Sequence, residues 1–474
     1  MIFSSIVFLL YFLPLLLLLY ILIKDSYKNA FLLIASILFY SWGAPKFIFV
    51  ILVTTVLDFY LVRWMFAQVK ERSRKIVLVL SVSMNVGLLF YFKYCNFFIE
   101  NINYFLAKFG LDSISALNIV LPIGISFYTF ESLTYVIDVY RKKHAPLVSF
   151  LDYQLYIILF PKLIAGPIIR YHEIADQIRG RFSEYNSEII LSGFKRFVIG
   201  LSKKVIIANT VAIAADSIWS LDINQIGTKE AWMGMLAYTF QIYFDFSGYS
   251  DMAIGIGQML GFKFPENFDN PYTSLNITEF WRRWHITLGS WMKNYLYIPL
   301  GGNKVDSKLR LFFNLWIVFL LSGFWHGAAW TFIAWGAYHG CWLIIERIGW
   351  QKILERIGLF SFTLTFLFVA IGWVLFRSES IGYALRFVKR LFVYKATEAH
   401  TTFDANFWTV FILSFVFSFF VLIPKFKEVH NSVYYGMKSV KLTFFSTTLA
   451  FVFFIVCVSY ITSGNFNPFI YFRF

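Results

Sequence analysis

Charge is scarce in this sequence. Asp, Glu, Lys and Arg supply 15% of its 474 residues, against about a quarter in ordinary soluble chains. With 59% apolar and 21% aromatic residues, that scarcity excludes a conventional water-soluble domain. Cysteine is scarcer still: Cys95, Cys341 and Cys457 are scattered, odd in number and without metal or redox spacing. There is no Gly-x-Ser-x-Gly elbow, Walker loop, His-Glu-x-x-His pair or dinucleotide fingerprint. Nucleotide hydrolysis and an internal serine triad are therefore not expected, and neither is a metal site or a permanently bound cofactor. The first apolar run, Ile6 to Ile23, has no basic residue before it and no small-residue cleavage site. It reads as a retained transmembrane helix.

What is present is a series of apolar blocks. Candidate spans lie at about 4–23, 31–44, 47–65, 76–93, 119–139, 148–166, 204–219 and 231–260, and again at about 311–324, 327–345, 359–376, 407–424 and 443–462. Several fall short of the ~20 residues of a perpendicular crossing and read as re-entrant or buried among other helices. The expected fold is an all-α polytopic membrane protein with about 11–13 transmembrane or re-entrant helices. Two segments too polar to cross, Tyr171 to Gly200 and Pro265 to Asn303, read as helices in the membrane interface. No repeat and no long hydrophilic stretch appears, so residues 1–474 are expected to form a single membrane-embedded domain.

The net charge of +15 sits in short loops between apolar blocks. That placement favours membrane lipid headgroups or an acidic cytosolic ligand over nucleic acid. Lys24 and Lys28, then Lys70 to Lys75, then Arg141 to Lys143 all fall on the cytosolic side if the N-terminus is outside.

Two stretches dominate. Glu279 to Gly302 contains Phe280-Trp-Arg-Arg-Trp-His-Ile-Thr-Leu288 and Tyr295-Leu-Tyr-Ile-Pro-Leu-Gly-Gly302; Leu321 to Trp330 contains Gly323-Phe-Trp-His-Gly327. On a helix, Trp281, Trp284, His285, Leu288, Trp291 and Tyr295 share one broad face, with Arg282, Arg283 and Lys293 largely on the other. Those cations either grip the phosphates of a ligand or meet lipid phosphates, and spacing leaves both open. His326 lies in an apolar run between Gly323 and Gly327, where a neutral imidazole either takes a proton from a hydroxyl or only braces a neighbouring helix. On a straight helix His339 would lie about 20 Å beyond it, too far for a ligand pair. His144, His172, His400 and His430 lie in polar loops and receive no role. Asp245 and Asp251 interrupt another apolar stretch. Two carboxylates without a fixed third ligand argue weakly for metal, and the preferred reading is a hydrogen-bonding role, to His285 or an arginine.

These phrases closely resemble the signature region of the membrane-bound O-acyltransferases, in the branch of bacterial polysaccharide (alginate-type) O-acetyltransferases. Gly124 to Arg141, Phe160 to Arg170 and Gln241 to Gly255 extend the likeness, which weakens beyond about residue 376. The resemblance implies helices around a central tunnel, with Asp245, Asp251 and Arg170 among its polar residues. It places His326 at the family's catalytic histidine and His285 at a second recurrent histidine that is either an acid/base group or an orienting one. It also implies acetyl-CoA as co-substrate, reaching Arg282, Arg283 and Lys293 from the cytosol. The acceptor it implies is a cell-surface or secreted polysaccharide, served through an extracytoplasmic esterase-like partner, at the bacterial cytoplasmic (inner) membrane. Glu131 and Asn294 depart from the family's usual amide and acid. The competing readings are a D-alanyl transferase of the teichoic-acid type and a non-enzymatic polysaccharide or lipid transporter.

Overall fold

The computed structural model describes residues 1–396, 401–435, 440–464 and 469–470; His400 lies outside them. The described residues are helical, with no strand among them beyond one isolated bridge. Among the described residues seven helices are long and apolar enough to cross a bilayer, and Val7–Leu22 is a shorter apolar one. Large apolar side chains stay exposed along them, among them Leu18, Phe49, Ile76, Phe415 and Ile455, as expected where the surrounding medium is lipid and not water.

The chain divides into two compact units. The first comprises residues 1–190 and 256–265. Its helices are α1 (Val7–Leu22), α2 (Asp25–Gly43), α3 (Ile48–Ala67), α4 (Glu71–Lys108), α5 (Ile125–Tyr140) and α6 (Phe150–Ile158). The expected span 148–166 is instead short: α6 ends before Leu159, and a four-residue helix follows. Nearly every residue of this stretch is buried, which fits a segment enclosed by other helices. Two buried carboxylates in this unit have partners. Lys162 bonds Glu131, and Asp58 accepts from Ser81 at 2.6 Å and from Asn85. Glu131, one of the departures from the family pattern, therefore has a cationic partner that satisfies its charge.

The second unit comprises residues 191–255 and 266–474. It holds most of α7 (Ser187–Trp219) and α8 (Thr228–Met259), then the short helices α9 (Ile277–Arg283) and α10 (Ile286–Met292). The hairpin α11 (Lys308–His326) and α12 (Trp330–Ile345) follows, then α13 (Ser361–Arg377), α14 (Ala405–Phe419), α15 (Pro424–Tyr435) and α16 (Val440–Ser463). The expected interfacial segment 171–200 is only partly so, because nearly half of it, from Ser187 on, joins the apolar helix α7. In the α11–α12 hairpin the two backbones touch. A Cβ on Gly323 would lie 2.2 Å from the Phe332 carbonyl oxygen, and one on Gly336 would lie 2.3 Å from that of Phe319. Small residues permit that approach.

Candidate active site

The expected continuous helix through residues 279–295 breaks at His285. Residues 267–269 pair with the chain there: Asp269 N–H donates to the Arg283 carbonyl and Ile286 N–H to the Asn267 carbonyl, both at 2.9 Å. This pairing draws Trp284 into extended backbone and His285 into the left-handed region, at φ 45° and ψ 53°. A non-glycine residue held there carries strain that its surroundings must enforce. The start of α9 is equally well fixed. Asn276 caps Glu279 N–H at 2.7 Å. The buried Glu346 carboxylate accepts from Ile277 N–H at 2.5 Å, and from Thr278 through both its N–H (3.0 Å) and its hydroxyl (2.6 Å). An anion at that end satisfies donors a helix start leaves open.

The break redistributes the cations. A cavity of about 340 Å³ is lined by Arg282, His285, Ser322, Lys293 and Arg347 with mostly apolar neighbours, and by no carboxylate among the described residues. Arg283 is not in its wall. Its guanidinium turns to Glu279 at 2.5 Å and to Thr273 at 3.1 Å, so the expected shared face of Arg282, Arg283 and Lys293 does not form. The kink separates neighbours that an unbroken helix would hold together. The turn Pro299 to Gly302 is pinned by Asn314, whose amide donates to the Leu300 carbonyl at 3.1 Å. Asn294 donates to the Ser290 carbonyl at 2.7 Å.

His285 is almost fully buried. Desolvation pushes its imidazole down to about 3, so the ring is neutral at physiological pH. Its Nδ1 faces Asn267 Oδ1 at 3.0 Å, and Phe246 meets the ring edge-on at 4.7 Å. His326 ends α11, one turn after Ser322, in an aromatic enclosure of Trp325, Trp335 and Phe376 with ring centroids 4.9–5.3 Å away. Trp325 also packs near His285, at 6.4 Å. His339 is not 20 Å along a straight helix from His326. The extended residues at 327–329 reverse the chain, and Trp335 touches both rings, at 5.2 and 5.1 Å.

The remaining expected site residues pair elsewhere. Asp251 binds Arg196 at 2.7 Å and Lys203 at 2.7 Å, and accepts from the Tyr434 hydroxyl at 3.3 Å. Asp245 binds Lys204 at 2.7 Å and accepts from Ile470 N–H at 2.8 Å. Of the two partners expected for these carboxylates, an arginine is found for Asp251, while His285 turns to Asn267. Arg170 lies in the first unit and pairs with Glu173. There too His144 meets Asp176 at 3.1 Å and His172 meets Asp138 at 2.7 Å; His430 stacks on Tyr434 in α15. No group of three or more metal-ligating side chains occurs among the described residues.

A model of the membrane-bound O-acyltransferases matches residues 3–357. The chain belongs to that family. The acyltransferase is 43% identical to the probable alginate O-acetylase AlgI of Pseudomonas aeruginosa over 424 residues, covering 89% of this chain and 81% of the relative. It is 36% identical to the peptidoglycan O-acetyltransferase of Helicobacter pylori over 82% of this chain and 79% of the relative. The teichoic acid D-alanyltransferase of Bacillus subtilis is more distant, at 29% over 55% of this chain and 70% of the relative. The acyltransferase is thus a polytopic membrane enzyme of the O-acetyltransferase type, and the transporter reading falls away. Three residues of its site do not stand out in the sequence. Arg347 and Glu346 close an apolar run in a cluster of mixed charge, and Asn267 is one polar residue in a loop. The available signal was a carboxylate and a cation side by side at a helix end, where a span reaches the interface.

Proposed function

We propose that this enzyme takes an acetyl group from acetyl-CoA at the cytosolic face of the bacterial inner membrane and delivers it toward hydroxyls of a cell-surface or secreted polysaccharide of the alginate type. The observation that carries the reading is the 340 Å³ cavity, with Arg282, Lys293 and Arg347 in its wall and no opposing carboxylate. CoA is a multiply phosphorylated anion, and arginine suits phosphate by its forked geometry. The volume lies at the low end of small-molecule pockets, ~300–1,000 Å³, so it holds one part of such a donor. Ser322, one turn before His326, lines the same cavity. This supports His326 as the general base: the acceptor hydroxyl gives its proton to the imidazole, its oxygen forms the new ester bond, the thioester C–S bond breaks, and the thiolate leaves to be protonated. The polysaccharide is reached through an extracytoplasmic esterase-like partner that takes the acetyl group onward.

Binding of acetyl-CoA to purified protein tests the reading. Arg282→Ala and Arg347→Ala should each lose a charge-assisted contact of about 1.5–3 kcal/mol, roughly ten- to a hundredfold in affinity. Arg283→Ala should bind like wild type. Wild-type affinity in all three would move the donor site elsewhere and leave the cavity a lipid-contact surface.

A further inference from the structure

Asn267 is fully buried, and the partners around it fix which of its amide atoms points where. One atom receives Thr287 N–H at 3.3 Å and the Thr287 hydroxyl at 2.9 Å; the other faces the Ser250 hydroxyl at 2.9 Å. A backbone N–H only donates, so the atom facing Thr287 is the oxygen, Oδ1. The same oxygen lies 3.0 Å from His285 Nδ1. An acceptor there requires Nδ1 to carry hydrogen, and in a neutral imidazole the lone pair then sits on Nε2. Nε2 is buried and has no hydrogen-bond partner among the described residues, while the residue forms part of the cavity wall beside Arg282 and Ser322. A buried polar nitrogen without a partner is costly unless something else completes it.

We infer that Asn267 is a positioning residue that fixes His285 as the Nδ1–H tautomer, so that Nε2 is a hydrogen-bond acceptor for an amide N–H in the pantetheine arm of the acyl donor. The inference rests on the cavity being the donor site. It fixes the direction of the hydrogen bond that His285 offers: a ring whose free nitrogen bears a lone pair does not donate to an oxyanion, but it does hold an N–H in place. The left-handed backbone at His285 and the Asn267–Ile286 pairing serve the same end, because they set the ring's direction before any ligand arrives.

The test is nitrogen NMR of histidine-labelled full-length protein, with the His285 signals assigned by their loss in His285→Gln. The wild type should show a protonated Nδ1 and a bare Nε2, and acetyl-CoA should shift the Nε2 signal. Asn267→Leu should abolish the single tautomer. Asn267→Asp keeps the side-chain volume and should draw a second proton onto the ring, a change that a purely structural role would not produce. Both variants should bind acetyl-CoA about tenfold more weakly, the loss of roughly one hydrogen bond. A protonated Nε2 in the wild type, or a tautomer unchanged in both variants, would overturn the clamp. A bare Nε2 that does not respond to bound acetyl-CoA would overturn the acceptor role. Acetyl-CoA binding insensitive to Arg282→Ala would instead count against the donor site, and the tautomer spectra would still judge the clamp.

Discussion

His326 and His285 sit in different environments, and the roles proposed for them differ accordingly. His326→Ala should abolish polymer-bound acetate while the protein still accumulates in the membrane, because it removes the proposed base and leaves the three enclosing aromatic rings in place. Near-normal acetate beside wild-type abundance would end the assignment. Asp251 should behave in the opposite way. Asp251→Asn leaves Lys203 without its carboxylate and Arg196 with Glu266 alone, and breaking a buried pair costs at most about 3–5 kcal/mol. The expected outcome is lower membrane abundance and earlier thermal unfolding in detergent. His326 stands out in the sequence as an imidazole in an apolar run, and His285 through the phrase it shares with the family. Arg347 and Asn267 do not, because each matters only through what the folded chain lays beside it.

The helices are easy to anticipate where a bilayer-length apolar block decides them, as in α3 and α16; α11 is longer than the apolar block 311–324 suggests. They were misjudged where tertiary pairing overrides periodicity. Residues 279–295 have the pattern of one amphipathic helix, yet the chain at 267–269 takes up backbone groups at 283–286 and splits it. No local pattern announces that. In the α11–α12 hairpin, contact at Gly323 and Gly336 brings the two helices together and sets His326 at the turn. Gly323→Val or Gly336→Val would force a side chain against a backbone carbonyl, with overpacking costs of about 1–3 kcal/mol or more. Both should lower the unfolding temperature and acetate transfer together. Loss of neither would mean that the hairpin opens without consequence for His326.

The orientation that charge alone suggests for the basic loops makes a prediction at the scale of the whole molecule. In the first unit Arg74 donates to the Tyr140 carbonyl at 2.7 Å, His144 meets Asp176 at 3.1 Å, and Asn29 donates to the Ile178 carbonyl at 2.9 Å. These contacts gather the loops at 24–28, 70–75 and 141–144 at one end, which supports a common cytosolic side. Cysteines placed in each loop, in a background without the exposed Cys341 and the half-buried Cys95, should resist a membrane-impermeant thiol reagent applied outside intact cells. Rapid labelling of any one would break the topology.

The cavity's three cations and missing carboxylates have a metabolic consequence. On the proposed donor site they would recognise phosphate, and phosphate is common to acetyl-CoA and to the CoA released after transfer. Contacts made equally before and after the reaction tighten binding without speeding it. Spent CoA should therefore compete with fresh donor for the same wall, and Arg282→Ala should relieve that product inhibition as much as it weakens donor capture. Polymer acetylation would then follow the ratio of loaded to free CoA in the cytosol more closely than the amount of either.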